Sequence, residues 1–198
     1  AGITADSDVL EVGSGSGGPG VYLARERGCR LTGVDINEHG VRNANALANA
    51  RGLGDRVQFQ TVDASEVLPF PAGRFDAVLC NDAICHIRHR ETVLREWHRV
   101  LRPAGRALFT DALVITGVVS HEEIANRSSI GFYLFVPPGE NERLIGAAGF
   151  SLLSVEDVTQ AAADIARRRH DARARHRTAL VAREGDAPLD GETRDLIR

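Results

Sequence analysis

The sequence predicts a doubly wound α/β fold, in which a mostly parallel sheet carries helices on both faces. Short apolar runs that suit buried strands alternate with segments of helical periodicity along most of the chain. A glycine-rich turn joins the first apolar run to the first helix, and polar residues follow the next runs. Such alternation is typical of βαβ units, whose parallel strands end at one shared edge of the sheet.

Six strands are expected where short apolar runs are bounded by turn residues. They are Val9–Val12, Leu31–Asp35, Val57–Val62, Ala77–Cys80, Ala107–Thr110 and Leu152–Val155. The first helix is predicted to start near Pro19 and to stop at Gly28. Asn37 is a suitable N-cap for the second helix, which should end near Gly52.

The third helix has the clearest pattern, in the segment ETVLREWHRVLRPAG. Its apolar side chains form one stripe, which we expect to lie on the sheet. The stripe consists of Val93, Leu94, Trp97, Val100 and Leu101. Glu91 and Arg95 are spaced for an ion pair one turn apart, and Pro103 with Gly105 should end the helix.

A chain of 198 residues, 43% apolar and 26% charged, is expected to form one domain over residues 1–198. Residues at about 116–138 interrupt the alternation and predict an insertion that covers the site, since such long loops are usually functional. A helix at about 140–148 should follow, and residues at about 161–183 predict one basic helix. The first strand begins early, so N-terminal helices are expected to be missing.

Composition favours a cytoplasmic protein with a small-molecule partner. The sequence has neither a secretory-signal pattern nor an apolar run long enough to span a membrane. Three cysteines are too few for a disulfide framework, and an odd count suits a reducing compartment. A net charge of −3 gives no overall attraction to nucleic acid or anionic lipid. No pattern predicts an oligomeric state.

The glycine-rich turn VLEVGSGSGGPG predicts an adenosine cofactor site at the end of the first strand. Gly13, Gly15 and Gly17 alternate there, where a backbone without Cβ can bend and contact a ligand. Gly13, Gly15 and Gly18 also fit the dinucleotide fingerprint. Asp35 suits both interpretations, because an acid at the end of the second strand can accept hydrogen bonds from both ribose hydroxyls. The glycine spacing therefore does not distinguish a dinucleotide from another adenosine cofactor.

Two further acids favour a cationic cofactor. Glu11 lies inside the first strand, where a carboxylate is unfavourable beside a pyrophosphate but suits a ligand with an ammonium and a sulfonium group. Asp63 and Ala64 follow the third strand, at the edge where an adenine would lie. A loop acid is also a common turn former, so Asp63 has a structural alternative.

Together these segments resemble the S-adenosylmethionine-dependent class I methyltransferases, in their broad small-molecule branch. The resemblance rests on VLEVGSGSG, GVDIN, VDASEVLPF, FDAVLCNDAICHI and LRPAGRALFTD, in family order over about residues 8–157. It implies a Rossmann-like fold, S-adenosylmethionine as methyl donor and S-adenosylhomocysteine as product. The segment from FTDALVITG to GENERLIGAAGF is more weakly similar to bacterial sarcosine and dimethylglycine N-methyltransferases.

By this resemblance, the cofactor site gathers residues from four strand ends. The implied residues are Glu11, Gly13, Ser14, Gly15, Gly17, Asp35, Ile36, Asp63, Ala64 and Asn81. Those of the first turn would border the methionine part, and Asp35 would hold the ribose. Ile36 would stack on adenine, Asp63 would face its amino group, and Asn81 would begin the loop beside the sulfonium. Ala104 departs from the family pattern, which often has glycine there.

Methyl transfer from a sulfonium mainly requires that donor and acceptor be aligned and water excluded. A base is needed only if the nucleophile arrives protonated, and His86 is the predicted base because imidazole titrates near neutrality. The alternative for His86 is a polar residue that helps to cap the next helix. Asp82 would orient an ammonium substrate or form the turn. Phe132 and Tyr133 would cover the substrate or pack as part of a lid.

Two other kinds of site are not expected. Cys80, Cys85, His86 and His89 do not have the spacing of a standard zinc site, so no metal is predicted. The basic run Arg167–Arg177 has no interleaved aromatic residue, which argues against a nucleic-acid partner. The fourth strand ends in NDAI, and the resemblance associates a different motif, NPPY, with methylation of nucleic-acid bases.

The sequence therefore predicts a bacterial small-molecule methyltransferase, with N-methylation of an amine or amino acid slightly favoured over O- or C-methylation of a natural product. Two alternatives stay open. One is an NAD(P)-dependent oxidoreductase that uses the same glycine turn. The other is a protein of the same fold that binds an adenosyl cofactor without catalysing transfer.

Overall fold

The computed structural model describes residues 2–113, 120, 121, 125 and 133–184. Five of the predicted strands are present, and they form one parallel sheet. They are β1 (Asp8–Val12), β2 (Arg30–Asp35), β3 (Val57–Thr61), β4 (Phe75–Asn81) and β5 (Leu101–Thr110). Their order is β3-β2-β1-β4-β5, which confirms the doubly wound fold. The order reverses between β1 and β4, and ligands of such sheets bind at that switch point.

Four helices accompany the sheet in a compact unit of residues 1–114 and 133–152. They are α1 (Gly18–Arg27), α2 (Glu38–Ala50), α3 (Arg90–Val100) and α4 (Glu140–Ala147). A second unit contains α5 (Thr159–Arg175) and α6 (Arg177–Glu184). Within the described part of the chain, no helix combines the length and the apolar character needed to cross a bilayer.

The helix ends follow the predicted capping residues. Gly28 ends α1 in the left-handed conformation, with φ 73°, and its N–H bonds to the carbonyl of Ala24. Asn37 caps α2 by accepting hydrogen bonds from the backbone N–H groups of His39 and Gly40. These caps fix where the chain enters and leaves β2, and therefore where Asp35 lies.

The two faces of the sheet carry separate apolar clusters. Val9 of β1 packs in the cluster that includes α1 and α2, whereas Leu10 and Val12 pack in the cluster of α3 and α4. The stripe predicted for α3 is buried, and Trp97 lies in the second cluster. Burial of such side chains contributes about 1.5–3 kcal/mol each, which makes the sheet a rigid base for its loops.

The fifth strand begins six residues earlier than Ala107, where the sequence predicted it. Leu101 pairs with Phe75, and regular pairing resumes only at Arg106. The strand is irregular between these two pairs, and Ala104 there has φ 64°. A residue with a Cβ pays roughly 1–2 kcal/mol for this conformation, which explains why glycine suits the position.

Two sequence predictions beyond α4 are wrong. Residues 151–158, all of them described, form no strand, although Leu152–Val155 was expected to be one. The apolar side chains of Leu153 and Val155 are exposed, so the pattern has no packing partner that would order it as a strand. The basic segment forms two helices instead of the one expected at about 161–183, since α5 ends at Arg175 and α6 begins at Arg177, on either side of His176.

Candidate active site

The loops that follow β1 and β4 touch each other at the switch point of the sheet. Gly13 has φ 72°, and a Cβ there would lie 2.3 Å from the Cβ of Ala83. Glycine is therefore required for this close approach. The N–H groups of Gly13 and Ser14 both donate to the carbonyl of Val34, at 2.9 and 3.0 Å, which ties the turn to β2 as well.

The other glycines of the turn differ in what surrounds them. A Cβ built on Gly15 or Gly18 has no atom within 4 Å among the described residues beyond its neighbours in the chain. A Cβ on Gly17 would lie 2.7 Å from Ala44 and 2.9 Å from Phe59, so Gly17 allows the turn to pack on α2 and β3. The dinucleotide fingerprint requires its third glycine, here Gly18, for such packing. That requirement is not met, which counts against the nicotinamide interpretation.

Asp35 lies at the end of β2, directly beside the open part of the turn. Its Oδ2 accepts a hydrogen bond from the N–H of Gly15 at 2.7 Å, and its Oδ1 accepts one from Asn37 at 2.8 Å. An ionised carboxylate has lone pairs left for further donors, such as ribose hydroxyls. Ile36 is 68% exposed and places an apolar side chain next to this carboxylate.

Glu11 is buried under the start of α1. Only 4% of the residue is exposed, and Oε2 has no hydrogen-bond partner in the described structure. The backbone N–H of Gly20 donates to the carboxyl group, yet burial and the negative charge of Asp35 raise the pKa of Glu11 to about 7. The Oγ of Ser14 is a second buried polar atom that lacks a described partner. These two orphaned acceptors fit the polar, cationic end of the methionine group.

Asp63 closes the turn that follows β3. Its exposed carboxylate accepts hydrogen bonds from the N–H and the Oγ of Ser65, at 2.9 and 2.6 Å, and these bonds lower its pKa. The turn-forming alternative is therefore realised, while a contact with adenine stays a prediction. Ala64 is half-buried and packs against the core cluster on one face of the sheet.

The last residue of β5 holds the loop that follows β4. Thr110 donates through Oγ1 to the Oδ1 of Asn81 at 3.0 Å, and the same Oγ1 accepts a hydrogen bond from the N–H of Asp82 at 2.9 Å. Asp82 has φ 53°, a conformation that aspartate tolerates better than most residues. Asn81 and Asp82 are both exposed at the carboxyl edge, as predicted.

His86 and Tyr133 are brought together, although they are far apart in the sequence. His86 ends the short 3₁₀ helix Ile84–His86, and its ring meets that of Tyr133 edge-on at 5.1 Å. Phe135 lies beside Tyr133, with ring centroids 4.4 Å apart. The Tyr133 hydroxyl is hydrogen-bonded to the Cys85 sulfur, and burial raises the pKa of that hydroxyl. Phe132 lies outside the described residues, as does most of the predicted insertion at 116–138.

The comparison with known protein families now decides between the two interpretations of the glycine turn. The pattern of the methyltransferase domain family matches residues 10–109, which include the turn, Asp35 and His86. The chain belongs to the methyltransferase domain family. This confirms the resemblance to the S-adenosylmethionine-dependent class I methyltransferases and their Rossmann-like fold.

Three related proteins show the range of this methyltransferase domain. The chain is 33% identical to 27-O-demethylrifamycin SV methyltransferase of Amycolatopsis mediterranei, over 80% of the chain and 59% of that protein. It is 37% identical to sarcosine/dimethylglycine N-methyltransferase of Halorhodospira halochloris, over 54% of the chain and 38% of that protein. The crystal structure of the cyclase SpnF is similar with a TM-score of 0.78 and 27% identity, over 98% of the chain and 70% of SpnF.

The methyltransferase domain also contains a buried polar network that sequence reasoning missed. Arg90, only 3% exposed, forms a two-pronged ion pair with Asp111, just beyond β5. It also donates to Asn141 Oδ1 and to the carbonyl of Leu134, both at 2.9 Å. Asn141 donates in turn to Asp111 at 2.9 Å. A sequence signal existed, because Arg90 falls on the predicted apolar stripe of α3, where a charge needs a buried partner.

A cavity of about 400 Å³ lies at the opposite edge of the methyltransferase domain. It is lined by Asp76, Arg102 and Arg106, near the amino ends of β4 and β5. Asp8, with Arg30 and Arg102 among its partners, forms an ion cluster there, and these partners lower its pKa to about 2. The cluster stabilises strand ends, and none of the described residues that line the cavity has a buried side-chain acceptor without a partner, so the chemistry favours the carboxyl edge.

Proposed function

We propose that the protein transfers a methyl group from S-adenosylmethionine to a small molecule. The observation that carries this proposal is the pair of carboxylates beside the glycine turn: buried Glu11, whose Oε2 has no partner among the described residues, and Asp35, which is bonded to Gly15. A buried carboxylate would repel a pyrophosphate, whereas it can stabilise a cationic methionine group. The chain spans 59% of its rifamycin relative, and the activity of the whole protein is inferred from this site.

Some residues of the site bind the cofactor, and others orient the acceptor. When bound, S-adenosylmethionine supplies an electrophilic methyl group on its sulfonium. Glu11 and Ser14 bind the polar methionine end, Asp35 orients the ribose, and exposed Ile36 offers an apolar surface to the base. The protein then has to hold the acceptor in line with the methyl group, and such alignment can lower the barrier by about 7–11 kcal/mol.

In this proposal, His86 accepts the proton of an amine or hydroxyl acceptor that arrives protonated. An amine attacks through its nitrogen lone pair, so an acceptor that arrives as an ammonium ion must lose a proton before methyl transfer. An imidazole nitrogen of His86 accepts that proton in this proposal, and Asp82 orients a charged acceptor from the same loop. The ring contact with Tyr133 holds the imidazole at the edge of the acceptor region.

N-methylation of an amine or amino acid is the finer form of the proposal. The similarity to an enzyme named for sarcosine and dimethylglycine supports it, as do the Tyr133 and Phe135 rings, whose faces attract cations. The rifamycin relative, named for an oxygen position, supports O-methylation of a natural product as the second candidate. A cytoplasmic address and a bacterial source stay predictions from composition and resemblance.

Ligand binding and transfer can be tested with the same purified protein. S-adenosylhomocysteine should raise the melting temperature, while NAD should leave it unchanged, because a ligand stabilises only the state that binds it. S-adenosylmethionine with a radiolabelled methyl group is then offered with sarcosine, dimethylglycine, aliphatic amines and phenols. Labelled amine products are expected.

Each other result counts against the proposal. Protection by NAD alone would contradict the proposed cofactor and favour the oxidoreductase alternative. Protection by S-adenosylhomocysteine without labelled product from any acceptor would favour a binder that does not transfer methyl groups, an outcome consistent with the similarity to the cyclase SpnF.

A further inference from the structure

The aromatic segment, residues 133–136, is held in place at Leu134 by hydrogen bonds to two other residues. The N–H of Leu134 donates to the carbonyl of Cys85 at 2.7 Å, and the carbonyl of Leu134 accepts from Arg90 at 2.9 Å. Leu134 therefore has both of its main-chain groups bound to the stretch that follows β4. A weaker restraint comes from the bridge between Val136 and Leu113.

Fixing Leu134 also fixes the rings on either side of it. Tyr133 and Phe135 are its chain neighbours, and their rings contact each other at 4.4 Å. The Tyr133 ring in turn meets His86 edge-on, which gives a row of three rings at the carboxyl edge. A shift of the Leu134 backbone would therefore displace the Tyr133 and Phe135 rings relative to His86, the proposed base.

The guanidinium group of Arg90 can hold Leu134 in position in a way that a lysine side chain could not. One terminal nitrogen bonds to Asp111 and Asn141, while the other bonds to Asp111 and to the Leu134 carbonyl. A planar guanidinium spans these acceptors at fixed angles, whereas a lysine presents all its donors from a single nitrogen.

A gain in folding stability does not by itself explain why the protein has this buried network around Arg90. Replacing a buried ion pair by well-packed apolar side chains is often neutral or stabilising, because two charges must be taken out of water. The Nε of Arg90 is moreover buried without a partner in the described structure, which adds to the cost. What the network does secure is the relative position of α3, the end of β5, α4 and the aromatic segment.

We propose that Arg90 is a positioning residue for the methyl acceptor: it holds the aromatic segment so that Tyr133 and Phe135 form a wall of the acceptor site beside His86. This inference rests on the proposed methyl transfer, and it assigns Arg90 no contact with the reacting atoms. It predicts that loosening Arg90 impairs acceptor recognition and leaves cofactor binding on β1 and β2 intact.

The variant Arg90→Lys tests the inference, with Arg95→Lys as a matched control. Arg95 lies on the same helix but forms an exposed pair with Glu91. For Arg90→Lys we expect the KM of the best acceptor in the panel to rise about 10- to 100-fold. The Kd for S-adenosylhomocysteine should change less than about twofold, and the control should match the wild type in both measurements.

A second measurement follows the aromatic segment without relying on activity. The chain has two tyrosines, so 3-fluorotyrosine labelling gives two ¹⁹F signals, and Tyr22→Phe assigns them. The Tyr133 signal should shift in Arg90→Lys and stay in place in Arg95→Lys. If Arg90→Lys does not fold, Arg90→Met combined with Asp111→Leu removes both buried charges and still leaves the Leu134 carbonyl without its donor.

The possible results separate this inference from the proposed function. A raised acceptor KM together with a shifted Tyr133 signal supports it. An unshifted Tyr133 signal overturns it whether or not the wild type is active, and so does a shifted signal with an unchanged KM. A wild type that binds S-adenosylhomocysteine but methylates nothing contradicts the proposed function, while the fluorine signal still decides whether Arg90 positions Tyr133.

Discussion

The N–H of Gly15 donates a hydrogen bond to Asp35 Oδ2 over 2.7 Å, which joins the glycine turn to the end of β2. Gly15 is half-buried and has φ 52°, and no atom of the described residues lies within 4 Å of a Cβ built on it, so this bond is a direct restraint on its backbone. The carboxylate is in turn oriented towards the turn before any ligand arrives. Such preorganisation lowers the entropy lost on binding.

Replacing Asp35 by alanine should weaken the binding of S-adenosylhomocysteine by about 1–3 kcal/mol, which is roughly 5- to 150-fold in Kd. The loss combines the missing ribose contacts with a looser Gly15. Isothermal titration calorimetry measures it directly. Glu38→Ala is the matched control, because Glu38 begins the helix after the same loop but pairs with Arg42 at the surface. Equal affinities for the two variants would remove Asp35 from the cofactor site.

Glu11 should make the stability of the unliganded protein depend on pH. Its pKa rises from 4.5 to about 7 on folding, mainly through burial. Between these values the folded state binds more protons than the unfolded state, so stability falls as the pH rises through this window and is constant above it. The loss is about 3 kcal/mol, since each pKa unit corresponds to about 1.4 kcal/mol.

Glu11→Gln should remove this dependence, because glutamine keeps the shape without the titration. Urea unfolding at pH 5 and pH 7.5 compares the two proteins. Between these two pH values the difference in unfolding free energy between wild type and variant should move by about 2.4 kcal/mol in favour of the variant at the higher pH. A difference that is the same at both pH values would show that Glu11 does not titrate in this range.

The parts of the site that sequence predicted are those encoded by local patterns. The turn around Gly13 and the acid at Asp35 follow strands that are readable from their apolar runs, and parallel strands bring such ends together. The same logic located His86 after β4. Each of these predictions needed only a short stretch of chain and the topology of the sheet.

The parts that sequence missed depend on partners distant in the chain. Arg90 bonds to Asp111 and Asn141, which lie 21 and 51 residues away. A periodic pattern within a short stretch of sequence does not predict such distant pairs. The reverse error occurred at Leu152–Val155, where a local strand pattern exists but the side chains find no packing surface. In both cases tertiary contacts determine the local structure, and the residue propensities of a short segment carry no information about those contacts.

The two glycines Gly15 and Gly17 should separate binding from stability. Both have positive φ, so a change to alanine costs each roughly 1–2 kcal/mol of backbone strain. Gly17→Ala additionally drives a Cβ to within 2.7 Å of Ala44, and it should lose about 1–3 kcal/mol more in urea unfolding. Gly15→Ala should instead show the larger loss of S-adenosylhomocysteine affinity, because its Cβ enters the open space of the site. Equal stabilities would contradict the packing function of Gly17.

His86 should be needed for turnover and dispensable for cofactor binding. If its imidazole accepts the proton of the acceptor, His86→Ala lowers kcat by about 10²- to 10⁴-fold while the Kd for S-adenosylhomocysteine stays unchanged. His89→Ala is the control, since His89 is an exposed histidine of the same loop. His86→Phe separates chemistry from packing, because it keeps a ring beside Tyr133 but has no nitrogen. A proton acceptor predicts that His86→Phe is as inactive as His86→Ala and that added imidazole restores part of the His86→Ala rate. A purely structural ring predicts that His86→Phe retains wild-type turnover, which would move the search for a base to Asp82.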